Sequence, residues 1–142
     1  SMLYGLREAL RLVEDEGLPA RFARHQLNSD ALIAGLTELG LISLPPAGHR
    51  LPMLTCVTVP PPIPETEVRM NLLSTYGIEI GGGIGPLKGK VWRIGLMGES
   101  STEAHVLTLL NALEELFIRG GGLSTPGVAL QAAARVYSRK AS

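Results

Sequence analysis

The chain has 142 residues, enough for one domain with its own hydrophobic core. Thirteen basic and thirteen acidic residues cancel, so no net charge attracts nucleic acid or an anionic membrane. Hydrophobic residues make up 45% of the chain and charged residues 18%, yet no apolar run approaches the roughly 20 residues that span a bilayer. The single cysteine excludes an internal disulfide. We therefore expect an apolar domain, part of whose surface is covered by another domain or subunit.

The N-terminal part of the chain is typical of two helices. Apolar residues recur at intervals of three and four over residues 3–16, where they form one stripe. Gly17 ends this helix, and Pro19 suits the first turn of a second helix that runs to about Leu39. The polar residues 28–30 disfavour a helix interior, so a frayed or bent turn is predicted there.

The middle of the chain alternates strands with a helix. Residues 41–44 predict a short edge strand before Pro45, and the β-branched residues over 53–59 predict a half-buried strand. Residues 65–76 have helical spacing with acidic residues in the first turn, and Gly77 follows as the helix exit.

A glycine-rich bend joins two further predicted strands, residues 78–80 and 91–97. A side-chain period of two puts Trp92 and Ile94 on one face of the second strand and Arg93 on the other. A lone arginine is costly to bury unless a negative group meets it. Arg93 therefore either faces water or binds an anion.

The C-terminal part predicts two more helices. Ser100 and Glu103 have the spacing of a capping box, and an apolar stripe follows as far as Phe117. Glycines at 120–122 form a hinge, after which a loosely attached final helix starts near Thr125. The order of these elements predicts an α+β fold: an antiparallel sheet of three to four strands with helices packed on one face and the other face open.

Two other kinds of site are disfavoured. The glycine-rich bend over residues 81–89 lacks the Lys–Ser/Thr pair and the following helix of known phosphate-binding loops. His25, His49 and His105 share no metal-ligand spacing, so no metal site is expected. Composition and spacing alone favour a solvent-facing Arg93 over an anion-binding one.

No residue of this chain is predicted to be catalytic. Glu65 is explained by a helix start, and Glu114 and Glu115 by a solvated helix face. Ser100 beside His105 could suggest a nucleophile, but the capping role explains the serine.

The chain resembles the C-terminal small domain of class V pyridoxal-phosphate aminotransferases of fold type I, in particular the alanine-glyoxylate and serine-pyruvate group. The resemblance extends over residues 3 to about 117. Its most specific parts are LYGLREAL (3–10), RLP (50–52), IEI with GGIGP (78–80 and 82–86) and, strongest, GKVWRIGLMG (89–98).

In that family the arginine of the last motif binds the α-carboxylate of the amino-acid substrate, which implies this role for Arg93. The resemblance also places Gly82, Gly83 and Gly85 near the site and turns the open sheet face toward the large domain. The Schiff-base lysine and the phosphate-binding groups belong to that large domain, which would precede residue 3. Pyridoxal phosphate is therefore expected in the full-length enzyme, and none is expected bound to this chain alone.

The resemblance implies a division of the chain into three parts: residues 1–2 as a cloning remnant, 3–119 as the small domain, and 120–142 as a glycine hinge with a helical tail that has no counterpart in the family. Lys88 and Lys90, like Lys140, match no cofactor lysine, so the chain alone is expected to be inactive. The absence of a secretory leader or a peroxisomal C-terminal signal predicts an intracellular protein of open compartment.

Two functions remain open on this basis. The first is the C-terminal domain of an aminotransferase that acts on amino acids and keto acids, partnered by the large domain of the same enzyme and homodimeric when complete. The second is a free-standing, non-catalytic module, starting at Met2, that binds a partner or a small carboxylate through its open sheet face. Neither involves a nucleic acid or a membrane.

Overall fold

A computed structural model describes residues 1–61, 63–122 and 125–140. This part of the chain forms five α-helices: α1 (Met2–Glu16), α2 (Leu18–Glu38), α3 (Glu65–Tyr76), α4 (Glu103–Arg119) and α5 (Val128–Lys140). It also forms four strands: β1 (Ile42–Ser43), β2 (Leu54–Thr58), β3 (Gly81–Gly82) and β4 (Val91–Gly95). None of the described helices has the length and apolar character needed to cross a membrane.

The strands form one antiparallel sheet in the order β1-β2-β4-β3. Val57 of β2 lies opposite Trp92 of β4, and both are buried in a core shared with α2, α3, α4 and α5. The rings of Trp92 and Phe117 of α4 are 6.3 Å apart between centroids, so the strand packs directly on that helix. The predicted α+β fold, with helices on one face of an antiparallel sheet, is confirmed.

The other face of the sheet is open among the described residues. Cys56 and Arg93 lie opposite each other there and are both half-buried. Ile42 and Met97, at the two ends of this face, are 66% and 55% exposed. The predicted alternation along the second strand of the bend is therefore confirmed, with tryptophan in the core and arginine outside it.

The predicted strand at residues 78–80 is wrong, because pairing with β4 begins only at Gly81. Gly77 ends α3 in the left-handed conformation with φ 66°. The N–H of Ile78 then donates to the carbonyl of Leu72 at 3.1 Å, so this backbone completes the end of the helix rather than a sheet ladder.

The predicted bend at residues 28–30 is also wrong, since α2 runs through them without a break. Asn28 Nδ2 donates to the carbonyl of Ser101 at 2.8 Å, and the hydroxyl of Tyr137 donates to Asn28 Oδ1 at 2.9 Å. Because these bonds reach a distant loop and α5, the asparagine does not compete for the backbone of its own helix.

Helix α4 begins later than the predicted cap. Thr102, not Ser100, is its N-cap, and the threonine hydroxyl accepts the N–H of His105 at 3.1 Å. The predicted stripe of apolar residues toward Phe117 does face the core.

The final helix is firmly packed, so the predicted loose attachment is wrong. Ala129 and Ala133 of α5 are fully buried against α2 and α4. The division of the chain at residue 120 remains a prediction, and residues 123–124 and 141–142 of the predicted tail lie outside the described residues.

The carboxylate of Glu114 in α4 caps the first turn of α5. Glu114 is only 4% exposed, which corrects its predicted place on a solvated face. Its carboxylate oxygens accept the N–H groups of Gly127 and Ala129 at 2.8 and 3.0 Å. The first turn of a helix leaves such donors without partners, so a buried negative charge is stabilised there.

The loop after β4 is held by side chains of α2. Arg24 Nη1 donates to the carbonyls of Gly98 and Ser101 at 2.9 and 2.6 Å. The Nε2 atom of His25 accepts the N–H of Gly98 at 3.1 Å, while its Nδ1 lies 2.7 Å from the carbonyl of Arg21. A carbonyl only accepts, so His25 is neutral with its proton on Nδ1.

The same arginines bind the end of α1. Arg24 donates to both carboxylate oxygens of Glu16, at 2.6 and 2.9 Å, and Arg21 adds a third bond at 2.7 Å. The hydrogen bond from Arg24 is the main reason that the pKa of Glu16 falls from 4.5 to about 2, against the opposing effect of burial. One carboxylate thus joins α1 to α2 and, through Arg24, to the loop after β4.

We expect Glu114→Ala to lower the free energy of unfolding by about 2–3 kcal/mol, because it leaves the buried N–H of Ala129 and the part-buried N–H of Gly127 without their acceptor. Denaturation of the chain in urea measures this loss. The control is Glu38→Ala, whose side chain is 48% exposed and lies 3.9 Å from Arg135. It should cost less than about 1 kcal/mol. Equal losses for the two variants would contradict the capping role.

The pairing of Glu16 predicts a specific dependence on pH. Because its folded pKa lies below the ordinary 4.5, its stabilising effect is complete above pH 4.5 and is lost as the pH falls toward 2. Glu16→Gln should therefore melt below the wild type at pH 7, and this difference in Tm should disappear between pH 4.5 and 2. A difference that stays constant down to pH 2 would rule out an ionic role for Glu16.

Candidate functional site

Arg93 lies in the middle of β4 on the open face, with its side chain half-buried. Its Nε donates to the carbonyl of Gly82 in β3 at 2.8 Å. Within the described part of the chain no Asp or Glu forms an ion pair with it, and neither Nη atom has a hydrogen-bond acceptor. The guanidinium therefore has N–H donors that no acceptor among the described residues uses.

The neighbours of Arg93 leave room for its guanidinium. A Cβ built on Gly81, directly opposite Arg93, would lie 3.3 Å from its Nη2 atom, so a larger residue there would crowd the arginine. Across the other strand pair, burial raises the pKa of the Cys56 thiol while the charge of Arg93 opposes this shift. The raised pKa keeps the thiol protonated at neutral pH, so Cys56 supplies no negative charge to pair with Arg93.

On the opposite side of β3, an ion pair from α3 lies against the backbone of Gly82. A Cβ built on Gly82 would be 3.2 Å from Glu65 Oε1 and 3.3 Å from Arg69 Nε. These two side chains are joined by a 2.6 Å hydrogen bond between Arg69 Nε and Glu65 Oε1. The sequence assigned Glu65 only to a helix start, although its spacing of four from Arg69 is the signal that could have revealed the pair.

Glu65 is charged despite being only 8% exposed. Burial raises its pKa, but the hydrogen bonds from Arg69 and Thr66 outweigh this effect, so the pKa is lowered overall. The carboxylate that packs on Gly82 is thus an ionised one, held by its own helix.

The other glycines predicted near the site have different roles. A Cβ built on Gly83 would lie 1.9 Å from the carbonyl oxygen of Leu87, so only glycine fits there. Gly85 has φ +57° and opens a short 3-10 turn, where its carbonyl accepts the N–H of Lys88. The structure brings Gly82 into contact with Arg93, while Gly85 shapes the bend.

The described residues contain no group of three or more His, Cys, Asp or Glu placed to hold a metal ion. His25 and His105 bind separate backbone groups of the loop after β4. His25 Nε2 accepts the N–H of Gly98, and His105 Nδ1 lies 3.0 Å from the carbonyl of Ser100. Both rings are used to hold backbone.

A cofactor site is not formed by these residues alone. Lys88 and Lys90 are exposed on the connection between β3 and β4, and the side chain of Lys140 lies outside the description. Exposed lysines do not fit a covalently held pyridoxal phosphate.

The fold and the sequence together identify the chain as similar to the C-terminal small domain of class V aminotransferases, which confirms the predicted resemblance. The (S)-ureidoglycine–glyoxylate transaminase of Bacillus subtilis (strain 168) is 45% identical over 137 residues, which cover 96% of this chain and 33% of that protein. The alanine–glyoxylate aminotransferase of Callithrix jacchus is 40% identical over 114 residues, 80% of this chain and 28% of that protein. No protein-family model matches the chain.

Solved structures agree with these matches. The crystal structure of the Bacillus subtilis ureidoglycine-glyoxylate aminotransferase superposes with a TM-score of 0.91, over 96% of this chain and 35% of that one. The pyridoxamine-pyruvate aminotransferase of Mesorhizobium loti superposes with a TM-score of 0.88 at 31% identity, over 96% of this chain and 35% of that one. Aminotransferases of this family depend on pyridoxal phosphate.

The shares of the chain and of its relatives that the matches cover lead to two conclusions. The chain spans about a third of the length of these relatives. A match over 96% of the chain includes most of the segment after Gly120, so the prediction that this segment has no counterpart in the family is wrong.

We expect Gly83→Ala to destabilise the chain by about 1–3 kcal/mol, because the new methyl group would overlap the backbone of Leu87. Thermal or urea unfolding measures the loss. Gly48→Ala is the matched control, since nothing lies within 4 Å of its Cβ position. The control should change stability by less than about 0.5 kcal/mol. A tolerated Gly83→Ala would show that the bend adapts.

Proposed function

We propose that this chain is the C-terminal domain of a pyridoxal-phosphate-dependent aminotransferase and that Arg93 holds the α-carboxylate of the substrate. The main support is the half-buried guanidinium on an open sheet face, bonded only to a carbonyl within the described residues. A planar fork of N–H donors matches a carboxylate in two parallel hydrogen bonds. Each hydrogen bond to a charged group contributes about 1.5–3 kcal/mol.

The exposed apolar surface supports a large domain as the partner. No residue of α1 is buried. Its apolar residues Leu3, Tyr4, Leu6 and Leu10 are between 57% and 77% exposed. A row of such residues is typical of a surface that another part of the protein covers. Because the chain spans only a third of its relatives, we assign this cover to the remaining segment of the complete protein.

In this proposal the chain contributes binding and orientation. Pyridoxal phosphate carries the amino group between donor and acceptor when it is bound, and the groups that hold it come from the large domain. Arg93, fixed by the carbonyl of Gly82, grips the carboxylate and so sets the direction in which the α-carbon is presented.

The names of the relatives point to the substrate class. Two of the most similar curated proteins are named for glyoxylate, a small keto acid with one carboxylate. We therefore propose glyoxylate as the amino acceptor and an α-amino acid as the donor. Arg93 would bind the carboxylate of each. The complete enzyme is proposed to be a homodimer.

A free-standing carboxylate-binding module is less well supported, because α1 would then leave its apolar row in water. The reading frame upstream of Ser1 distinguishes the two proposals. A preceding domain with a lysine after a strand supports the aminotransferase, and a native start at Met2 supports the module.

In the complete enzyme, we expect Arg93→Ala to raise the substrate KM about 10- to 100-fold, because a charged hydrogen-bonding partner of the carboxylate is lost. Cofactor absorbance should stay unchanged, since Arg93 does not hold the cofactor. Steady-state kinetics and the absorbance spectrum measure the two quantities. Arg135→Ala, at a side chain 59% exposed, serves as the control. An unchanged KM in Arg93→Ala would remove the assignment.

A further inference from the structure

We propose that Glu65 and Arg69 of α3 are a positioning pair for Arg93 and act through the backbone of Gly82. This inference rests on the proposed role of Arg93 and deepens it. It assigns to two residues outside the open face an effect on how tightly the substrate carboxylate is held.

The direction of the Arg93 guanidinium depends on one contact. Its Nε donates to the carbonyl of Gly82 at 2.8 Å, and this is its one hydrogen bond within the described residues. The position of the Gly82 carbonyl therefore sets the direction of the two Nη atoms. A shift of that carbonyl would turn the donors away from a bound carboxylate.

The strand that carries this carbonyl has no side chain of its own, and its nearest anchor in the core is Ile80, which precedes it. β3 consists of Gly81 and Gly82 and lies at the edge of the sheet, with β4 as its one neighbour. Neither glycine has a side chain that could anchor the strand in the core.

The Glu65–Arg69 pair packs on the backbone of Gly82 from the side of α3. Gly81 lies opposite Arg93 on the open face, so the next residue, Gly82, presents its Cα to the other face. There the side chains of the pair reach within 3.2–3.3 Å of the Cβ position of Gly82. The edge strand thus lies between Arg93 on one side and a partly buried ion pair on the other.

The pair is sensitive to the loss of either member. Glu65 is 8% exposed, and its bond to Arg69 offsets the burial of its charge. Without Arg69 the carboxylate would move toward water or take up a proton, and its packing on Gly82 would be lost. A purely structural role in α3 predicts lower stability without a selective effect on carboxylate binding.

The test compares substrates with and without a carboxylate in the complete enzyme. The variant is Arg69→Met, and the probes are the amino-acid substrate and the amine that remains when its carboxylate is removed. We expect KM for the amino acid to rise about 3- to 10-fold, while kcat and the dissociation constant of the amine stay within about twofold. Arg69→Lys, which can still reach Glu65, should recover part of the loss.

The control is Arg119→Met. It breaks an ion pair with the same spacing, between Glu115 and Arg119 on α4, whose side chains are 41% and 62% exposed. It should change neither substrate nor amine binding. Should Arg69→Met fold poorly, the double variant Glu65→Gln/Arg69→Met leaves no unpaired buried charge and permits the same comparison.

A double variant distinguishes the proposed role of Arg93 from the proposed role of the Glu65–Arg69 pair. If the pair acts through Arg93, adding Arg69→Met to Arg93→Ala raises KM no further. If the KM increases of the two variants multiply in the double variant, or if Arg69→Met weakens binding of the amino acid and of the amine equally, the positioning role is overturned while the role of Arg93 stays intact. If Arg93→Ala by itself leaves carboxylate-dependent binding unchanged, the proposed function fails and the inference fails with it.

Discussion

The pleat of β4 is the constraint on which this structure depends. Because neighbouring side chains on a strand point to opposite faces, Trp92 enters the core and Arg93 is turned out of it. A shift of one residue in register would bury a guanidinium among apolar side chains and expose an indole. Pairing with β2 on one side and β3 on the other makes that shift costly.

Around this strand, charged and polar groups add connections between elements to those that the apolar core makes. Glu16 and Arg24 join the end of α1 to the loop after β4, and Glu114 joins α4 to the start of α5. Each of these groups has its hydrogen-bonding capacity met by a distant partner, which keeps the cost of partial burial low. The orientation of α1, whose apolar row is uncovered, is therefore set by polar contacts at its end.

The site has the same organisation on a smaller scale. Among the described residues, the one hydrogen-bond partner of Arg93 is a backbone carbonyl, and that carbonyl belongs to a strand made of glycines. Glycine permits the approach of a guanidinium on one face and of an ion pair on the other. Neither glycine has a side chain that could anchor the strand, and the Glu65–Arg69 pair of the helix behind it packs on Gly82.

The sequence by itself determined the features that repeat over a few residues. The helical stripes and the placement of Trp92 and Arg93 on opposite faces of β4 follow from periods of 3.6 and 2. The helix exit at Gly77 follows from the residue type, and the fold class from the order of the elements, and the structure agrees with both. The motif around Arg93 also pointed to the aminotransferases to which the chain proved similar.

Only the tertiary structure decided the contacts between distant segments. Asn28 was expected to lie in a frayed or bent turn of α2, and Glu114 on a solvated helix face, but each is buried and hydrogen-bonded to another element. The pairing of Glu65 with Arg69 has a local spacing, yet its place behind Gly82 depends on how α3 packs against an edge strand. Local periodicity carries no information on which distant donor will meet a polar group, and that meeting decides whether the group opposes or supports the fold.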